Sequence, residues 1–251
     1  MSSCVGRAPS TTGTASPVSE FAPVKELIKD VPGWLSDEEG EALYALAKEC
    51  TGRGVIVEIG SWKGKSTICL GLGSRAGNGV RIFAVDPHAD YRHGEFKQNI
   101  ERAGIADLVT PVKGLSQDVV GDFDEPIELI FVDGSHEEDD VRHDFETWVP
   151  KVVDGGTIAF HDTTWHAGVR KVVAEKIFGS RQFRDVRFVI GSTTIASKVA
   201  HNTPYDRLHA RRVQATKAVF GAVTRVVKKK RGWLPGPVER AGRRVFKLVG
   251  R

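Results

Sequence analysis

Val55-Ile56-Val57-Glu58-Ile59-Gly60-Ser61-Trp62-Lys63-Gly64-Lys65-Ser66 is the stretch on which the fold turns. A short apolar run ends at a glycine, and the helical pattern Ser66–Leu72 follows, so the unit is a buried strand, a tight turn and a helix. The pattern recurs downstream. Arg81–Val85 ends at Asp86-Pro87, and Val109–Val112 forms a third apolar run. Ile127–Val132 ends at Asp133-Gly134, and Thr157–Phe160, after an Asp154-Gly155-Gly156 turn, ends at His161-Asp162. Helical patterns at Phe96–Ala103, Asp139–Val149 and Val169–Ile177 lie between or after them, and Phe183–Ile190 with Thr193–Ser197 reads as a closing hairpin. Strands alternating with helices predict an α/β fold, a doubly wound and mostly parallel sheet with helices on both faces. Upstream, Ser36 and Glu39 form a capping box that starts a helix over 36–50.

In such a sheet, ligands bind beyond the carboxyl ends of the strands. The topology collects Glu58, Asp86, Asp133, His136, His161 and Asp162 along that edge. The turn after Glu58 admits three functional readings. Gly64-Lys65-Ser66 suggests a phosphate loop, but Gly60 is one place too late for the required spacing. Gly60-Ser61-Trp62 breaks the dinucleotide fingerprint. The remaining pattern, an acid at the strand end before a turn without a phosphate nest, suits a cationic ligand and repels a pyrophosphate. A plain strand-to-helix turn, with glycine there for backbone reasons, is the non-functional alternative. Asp86, 28 residues after Glu58, ends the second strand and can accept both hydroxyls of a ribose. Ser116 and Gln117, after the third strand, stand where an adenine would lie, and loop polarity explains them equally well.

Asp133 and Asp162, 29 residues apart, end neighbouring strands. With histidines beside them they can hold a hard divalent cation such as Mg²⁺, which would bind a substrate's hydroxyl oxygens and lower a hydroxyl pKa. His136 is placed to take the hydroxyl proton as general base. It can also be read as a capping or solvent-facing residue, and His161 as a packing residue. His143 and His166 read as structural or surface groups.

Together, EIGSWKGKST, FAVDPH, LIFVDGSHEEDDVRHD and WVPKVVDGGTIAFHDT resemble the class I methyltransferases that use S-adenosylmethionine (SAM), in particular the metal-dependent macrocin-type sugar O-methyltransferases. The resemblance covers about residues 52–170. It implies a Rossmann-like domain, SAM as methyl donor, Mg²⁺ or another divalent cation, a saccharide or small-molecule acceptor and frequently an oligomer. It also implies that Glu58, Gly60 and Ser61 bind the methionine end, with Ser66 and Asp133 among the cofactor-binding residues and Asp86 on the ribose. Asp133 and Asp162 become metal ligands, with His161 beside them, and His136 the base. Some metal-dependent relatives have two adjacent acids where this chain has His161-Asp162. A metal-dependent hydroxylase on the same scaffold, a methyltransferase of a phenolic small molecule, and a binding module with a vestigial site remain alternatives.

With 251 residues, 40% of them hydrophobic, the chain can bury one sizeable core. The boundaries expected are an arm at 1–22 rich in Ser, Thr, Gly and Pro, a domain at 23–202 and a basic helical extension at 203–251. Three scattered cysteines make neither a disulfide framework nor a zinc site and fit a reducing cytoplasm. No apolar run is long enough to span a membrane. Of 36 Lys/Arg and 32 Asp/Glu, 14 and one fall in 207–251, leaving 22 against 31 in 1–206. The body is therefore acidic and the tail basic. Phe220, Val223 and Val227 share a helical face, followed by Lys228-Lys229-Lys230-Arg231, Trp233-Leu234-Pro235 and an apolar-basic stretch at Arg243–Val249. The tail suits an anionic membrane at the inner face, a polyanion, a partner subunit or plain solvent. Nucleic acid fits less well, since no stacking aromatics interleave with the basic run.

Overall fold

The computed structural model describes residues 20–88 and 90–229. In chain order the elements are α1 (Ala22–Ile28), α2 (Asp37–Glu49), β1 (Val55–Ile59), α3 (Lys65–Ala76), β2 (Ile82–Asp86), α4 (Asp90–Arg102), β3 (Val109–Lys113) and α5 (Ser116–Val119). They continue with β4 (Ile127–Val132), α6 (Glu138–Trp148), β5 (Val152–Phe160), α7 (Ala167–Val173), β6 (Phe183–Val189), β7 (Thr193–Lys198) and α8 (Pro204–Lys229).

The seven strands form one sheet in the order β3-β2-β1-β4-β5-β7-β6. The first five run parallel, and β7 is antiparallel to both β5 and β6. Strands β1 and β4 lie at the centre and every residue in them is buried, which is why they read as near-continuous apolar runs, each broken by one glutamate (Glu58 and Glu128). Each face of the sheet carries its own core. One, built on Leu43, Ile68, Leu70 and Phe96, is covered by α1 to α4; the other, built on Val141, Trp148, Val172 and Ile177, is covered by α6 and α7. This is the doubly wound, Rossmann-like architecture expected from the alternating pattern.

Three boundaries differ from the sequence reading, each for a physical reason. Helix α4 begins at Asp90, six residues before Phe96, because its polar first turns carry no apolar periodicity and only Phe96 and Ile100 are buried in the core. Asp154-Gly155-Gly156 lies inside β5 instead of preceding it: β4 pairs Ile127 with Val152 and then Leu129 with Thr157, so the extra residues form a bulge. Phe21, within the expected arm, is buried with its ring edge-on to Tyr44 at 6.0 Å, so packing starts before residue 23. The helix expected from 203 onwards begins at Pro204. Helix α8 docks on β6: His209 Nε2 lies 3.0 Å from the Val186 carbonyl, Ala210, Lys217 and Gly221 are buried, and the Phe220 ring packs on Phe188 at 5.4 Å. Val223, expected beside Phe220, stays exposed on the outer side. The Val227 side chain and the motifs from Lys230 to Arg251 lie outside the described residues, as does the arm over 1–19.

Candidate active site

The strand ends are laced together at the switch between β1 and β4. The Asp133 amide donates to the Ile59 carbonyl (2.8 Å), the His161 amide to the Val132 carbonyl (3.0 Å) and the Gly60 amide to the Val85 carbonyl (2.8 Å). Gly60 has φ +89°, and a Cβ there would lie 2.1 Å from the Asp133 carbonyl oxygen. Only glycine allows this approach.

On the β1–β2 side the acids are held by backbone. The Asp86 carboxylate accepts the Trp62 amide at Oδ2 (2.9 Å) and the His88 amide at Oδ1 (2.7 Å). Both donors lie at left-handed turns, with φ +42° and +38°. Each oxygen keeps a further lone pair for a ligand. Ser61 is buried, with Oγ 3.4 Å from His88 Nε2. Glu58 is fully buried; Oε2 accepts from the Thr67 hydroxyl, and Oε1 has no hydrogen-bond partner among the described residues. Burial pushes its pKa up to about 7, opposed by the Ser66 and Thr67 hydroxyls and reinforced by the charges of Asp133 and Asp86. Ser66 is buried at the start of α3. Ser116 donates to the buried carboxylate of Asp144, while Gln117 is exposed on α5.

On the β4–β5 side the acids are paired with imidazoles. His161 Nδ1 faces Asp133 Oδ1 at 3.0 Å and Asp162 Oδ2 at 3.6 Å. Its Nε2 faces Glu39 Oε1 at 3.4 Å. Burial alone would lower its pKa, but hydrogen bonds to Asp133, Asp162 and Glu39 raise it to about 12. Burial raises the Asp133 pKa, with His161 opposing. Burial also acts to raise that of Asp162, but His161, His136 and His166 together bring it below the usual value. Asp162 has φ +55°, which turns its carboxylate towards His136 Nε2 at 2.9 Å and His166 Nε2 at 3.7 Å. The rings of His136 and His166 stack at 3.7 Å.

The structure therefore brings Asp133, His136, His161 and Asp162 into one contact network, with Glu58, Asp86 and Ser61 beside it on the same edge. Ser116 instead spends its hydroxyl on Asp144, and Gln117 faces solvent. Two members escaped the sequence reading. Glu39 does form the capping box with Ser36, but the same carboxylate also reaches His161. His166 was read as a surface group, yet it lies four residues after Asp162 and folds back on it. That spacing was the available signal.

Residues 57–163 match the family model described as "Methyltransferase domain". Over this central stretch the chain is therefore similar to methyltransferase domains, carried on a doubly wound sheet. Among curated proteins, the chain is 32% identical over 117 residues to the uncharacterized protein y4gI of Sinorhizobium fredii, a stretch of 43% of this chain and 13% of that protein's length. Among solved structures it resembles an O-methyltransferase from Bacillus cereus in complex with SAH (21% identity, TM-score 0.57, covering 70% of this chain and 90% of that one). It also resembles the O-methyltransferase TomG from Streptomyces achromogenes, involved in tomaymycin synthesis, in complex with SAM (19% identity, TM-score 0.55, covering 74% and 92%). At these identities the likeness concerns the fold.

Proposed function

We propose that the protein is a SAM-dependent O-methyltransferase, assisted by a divalent metal, that methylates a hydroxyl of a sugar, glycan or glycosylated metabolite. One observation carries the reading. Two buried acids (Glu58, Asp86) and the half-buried Asp133 lie on the same strand edge as an imidazole that is paired with a carboxylate and still partly open to solvent. The orphaned Oε1 of Glu58 and the free lone pairs of Asp86 fit a ligand bearing a sulfonium, an ammonium and a ribose. The complexes of the two structural neighbours with SAH and SAM support the same donor.

His136 is the proposed base. Donation of its Nε2–H to Asp162 leaves the Nδ1 lone pair to take the acceptor's proton. The acceptor oxygen then displaces the sulfonium: an O–C bond forms, the S–C bond breaks, and SAH leaves with a neutral sulfur. The protein's remaining work is alignment and exclusion of water. Asp133, His161 and Asp162 have donor atoms within 4.8 Å of one another, a spacing that fits one divalent cation. Bound there, the cation would supply positive charge to lower a hydroxyl pKa. Trp34 stacks on Trp62 at 5.4 Å and is 84% exposed, offering an aromatic face against which a sugar ring can bury apolar area.

Calorimetric titration with SAM tests the donor; SAH release with a panel of saccharides tests the acceptor. Micromolar SAM binding with SAH formed only when a saccharide is present is the expected result. SAM binding without SAH from any acceptor would favour hydroxylase chemistry on the same scaffold, and no SAM binding would overturn the reading.

We also propose peripheral contact with an anionic membrane through 207–251. Opposite its docked face, α8 presents Leu208, Val219, Val223 and Val226, all exposed, with Arg211, Arg212 and Arg225 around them. An apolar stripe flanked by arginines suits the interface of an anionic bilayer. Among the described residues no helix is long and apolar enough to cross a membrane.

A further inference from the structure

His161 has two differently employed faces, and Glu39 fixes which is which. The Glu39 carboxylate is almost completely buried. Its Oε1 accepts the Ser192 amide at 2.6 Å and the Thr193 hydroxyl at 2.8 Å, while Oε2 accepts the Ser36 amide and hydroxyl. The β6–β7 turn is shaped around it: a Cβ on Gly191, at φ +135°, would lie 2.4 Å from the Glu39 carboxylate carbon. The carboxylate is thus rigidly placed from both sides, and it meets His161 at Nε2. Nδ1 then points at Asp133 Oδ1 (3.0 Å) and Asp162 Oδ2 (3.6 Å).

Donors at about 2.1 Å from one ion lie about 3 Å apart when cis and about 4.2 Å apart when trans. The Nδ1 distances match that spacing, and the three donor atoms lie within 4.8 Å of one another. The other trio, His136, Asp162 and His166, does not suit an ion. Its two rings are stacked and only 21° from parallel, so in-plane lone pairs cannot converge on one centre at bonding distance. Histidine ligands characteristically donate their second ring N–H to a carboxylate, which fixes the ring and raises its basicity.

We propose that Glu39 is the outer carboxylate of a carboxylate–histidine–metal relay. Asp133, Asp162 and His161 Nδ1 are the inner donors, and the nitrogen makes this a centre for Mn²⁺, Fe²⁺, Co²⁺ or Zn²⁺ in preference to Mg²⁺. The inference rests on the metal-assisted reading above and names its metal class. Imidazole suits first-row transition ions, whereas Mg²⁺ favours carboxylates and retained water. Binding at Nδ1 displaces the proton there, as at any histidine ligand.

The test is titration of the full-length protein with Co²⁺ and, separately, with Mg²⁺, reading affinity by calorimetry and the cobalt visible absorption bands. Co²⁺ is expected to bind at least tenfold more tightly than Mg²⁺. Glu39→Gln should weaken Co²⁺ by roughly 10- to 100-fold. Ser36→Ala, which removes a contact to Oε2, the cap on the Glu39 amide and a bond to the Ile190 carbonyl but leaves the contacts of Oε1 in place, should leave the affinity unchanged, and His161→Asp should shift preference towards Mg²⁺. Equal affinity for the two ions, no cobalt bands, an unaltered Glu39→Gln, or a Ser36→Ala as damaged as Glu39→Gln would each overturn the proposal. SAM calorimetry on the same samples separates the two claims. SAM binding without a cobalt response defeats the relay alone, and a cobalt response without SAM binding defeats the methyltransferase reading alone.

Discussion

The two halves of the strand edge solve the same problem in different ways. At β1 and β2, carboxylates are tied to backbone amides of strained turns or left partly unsatisfied in the core, as with Asp86 and Glu58. At β4 and β5, carboxylates meet imidazoles: Asp133 with His161, and Asp162 with His136 and His166. Backbone donors are fixed and do not exchange protons at neutral pH. Imidazoles can. Under the function proposed above, the first half holds the methyl donor and the second supplies the base, and Gly60 packed against the Asp133 carbonyl joins them.

The largest expected effect lies on the histidine side. His136→Ala should cut turnover by roughly two to four decades while SAM affinity stays near normal; equal damage to both would erase the division. Next comes Glu58. Its pKa rises from an ordinary 4.5 to about 7 on folding, so its contribution is present below pH 4.5 and is lost as pH rises through 7. The swing is on the order of 3 kcal/mol. Thermal melts of Glu58→Gln across pH 4 to 8 should lack that slope, and the variant should be relatively more stable at pH 8; an unchanged slope would mean another group is responsible.

Asp86→Ala should weaken SAM by about tenfold, the scale of a charged hydrogen bond, with turnover at saturating SAM nearly preserved. The smallest change lies outside both halves. Arg212→Gln should reduce binding to vesicles containing phosphatidylserine by about fivefold, with no effect on SAM affinity. Binding equal to that of phosphatidylcholine vesicles would end the membrane reading, and a concentration-dependent dimer would point to a second copy of the chain on the stripe of α8.

The central fold could be read because β1 and β4 are short runs that are apolar apart from Glu58 and Glu128, and each is followed by a glycine-containing turn. What stayed hidden depends on contacts between distant residues. Glu39 is fully accounted for by its local role at the start of α2, so nothing in the sequence hints at a partner at position 161. His166 approaches Asp162 only because Asp162 adopts a left-handed conformation. Helix α8 looked detached because its charges mask a docked face that includes Lys217, whose burial lowers its pKa to about 7. Ser116, readable either as an adenine contact or as loop polarity, donates its hydroxyl to Asp144, 28 residues away.

The double use of Glu39 has a dynamic consequence. Helix ends ordinarily fray at almost no free-energy cost. Here unwinding the first turn of α2 also withdraws a carboxylate from His161, 122 residues further along the chain. Local opening at one place is thus opening at both. Amide hydrogen exchange at Glu39 and Gly40 therefore becomes a remote gauge of the strand edge, slowing whenever something bound there holds His161 in place.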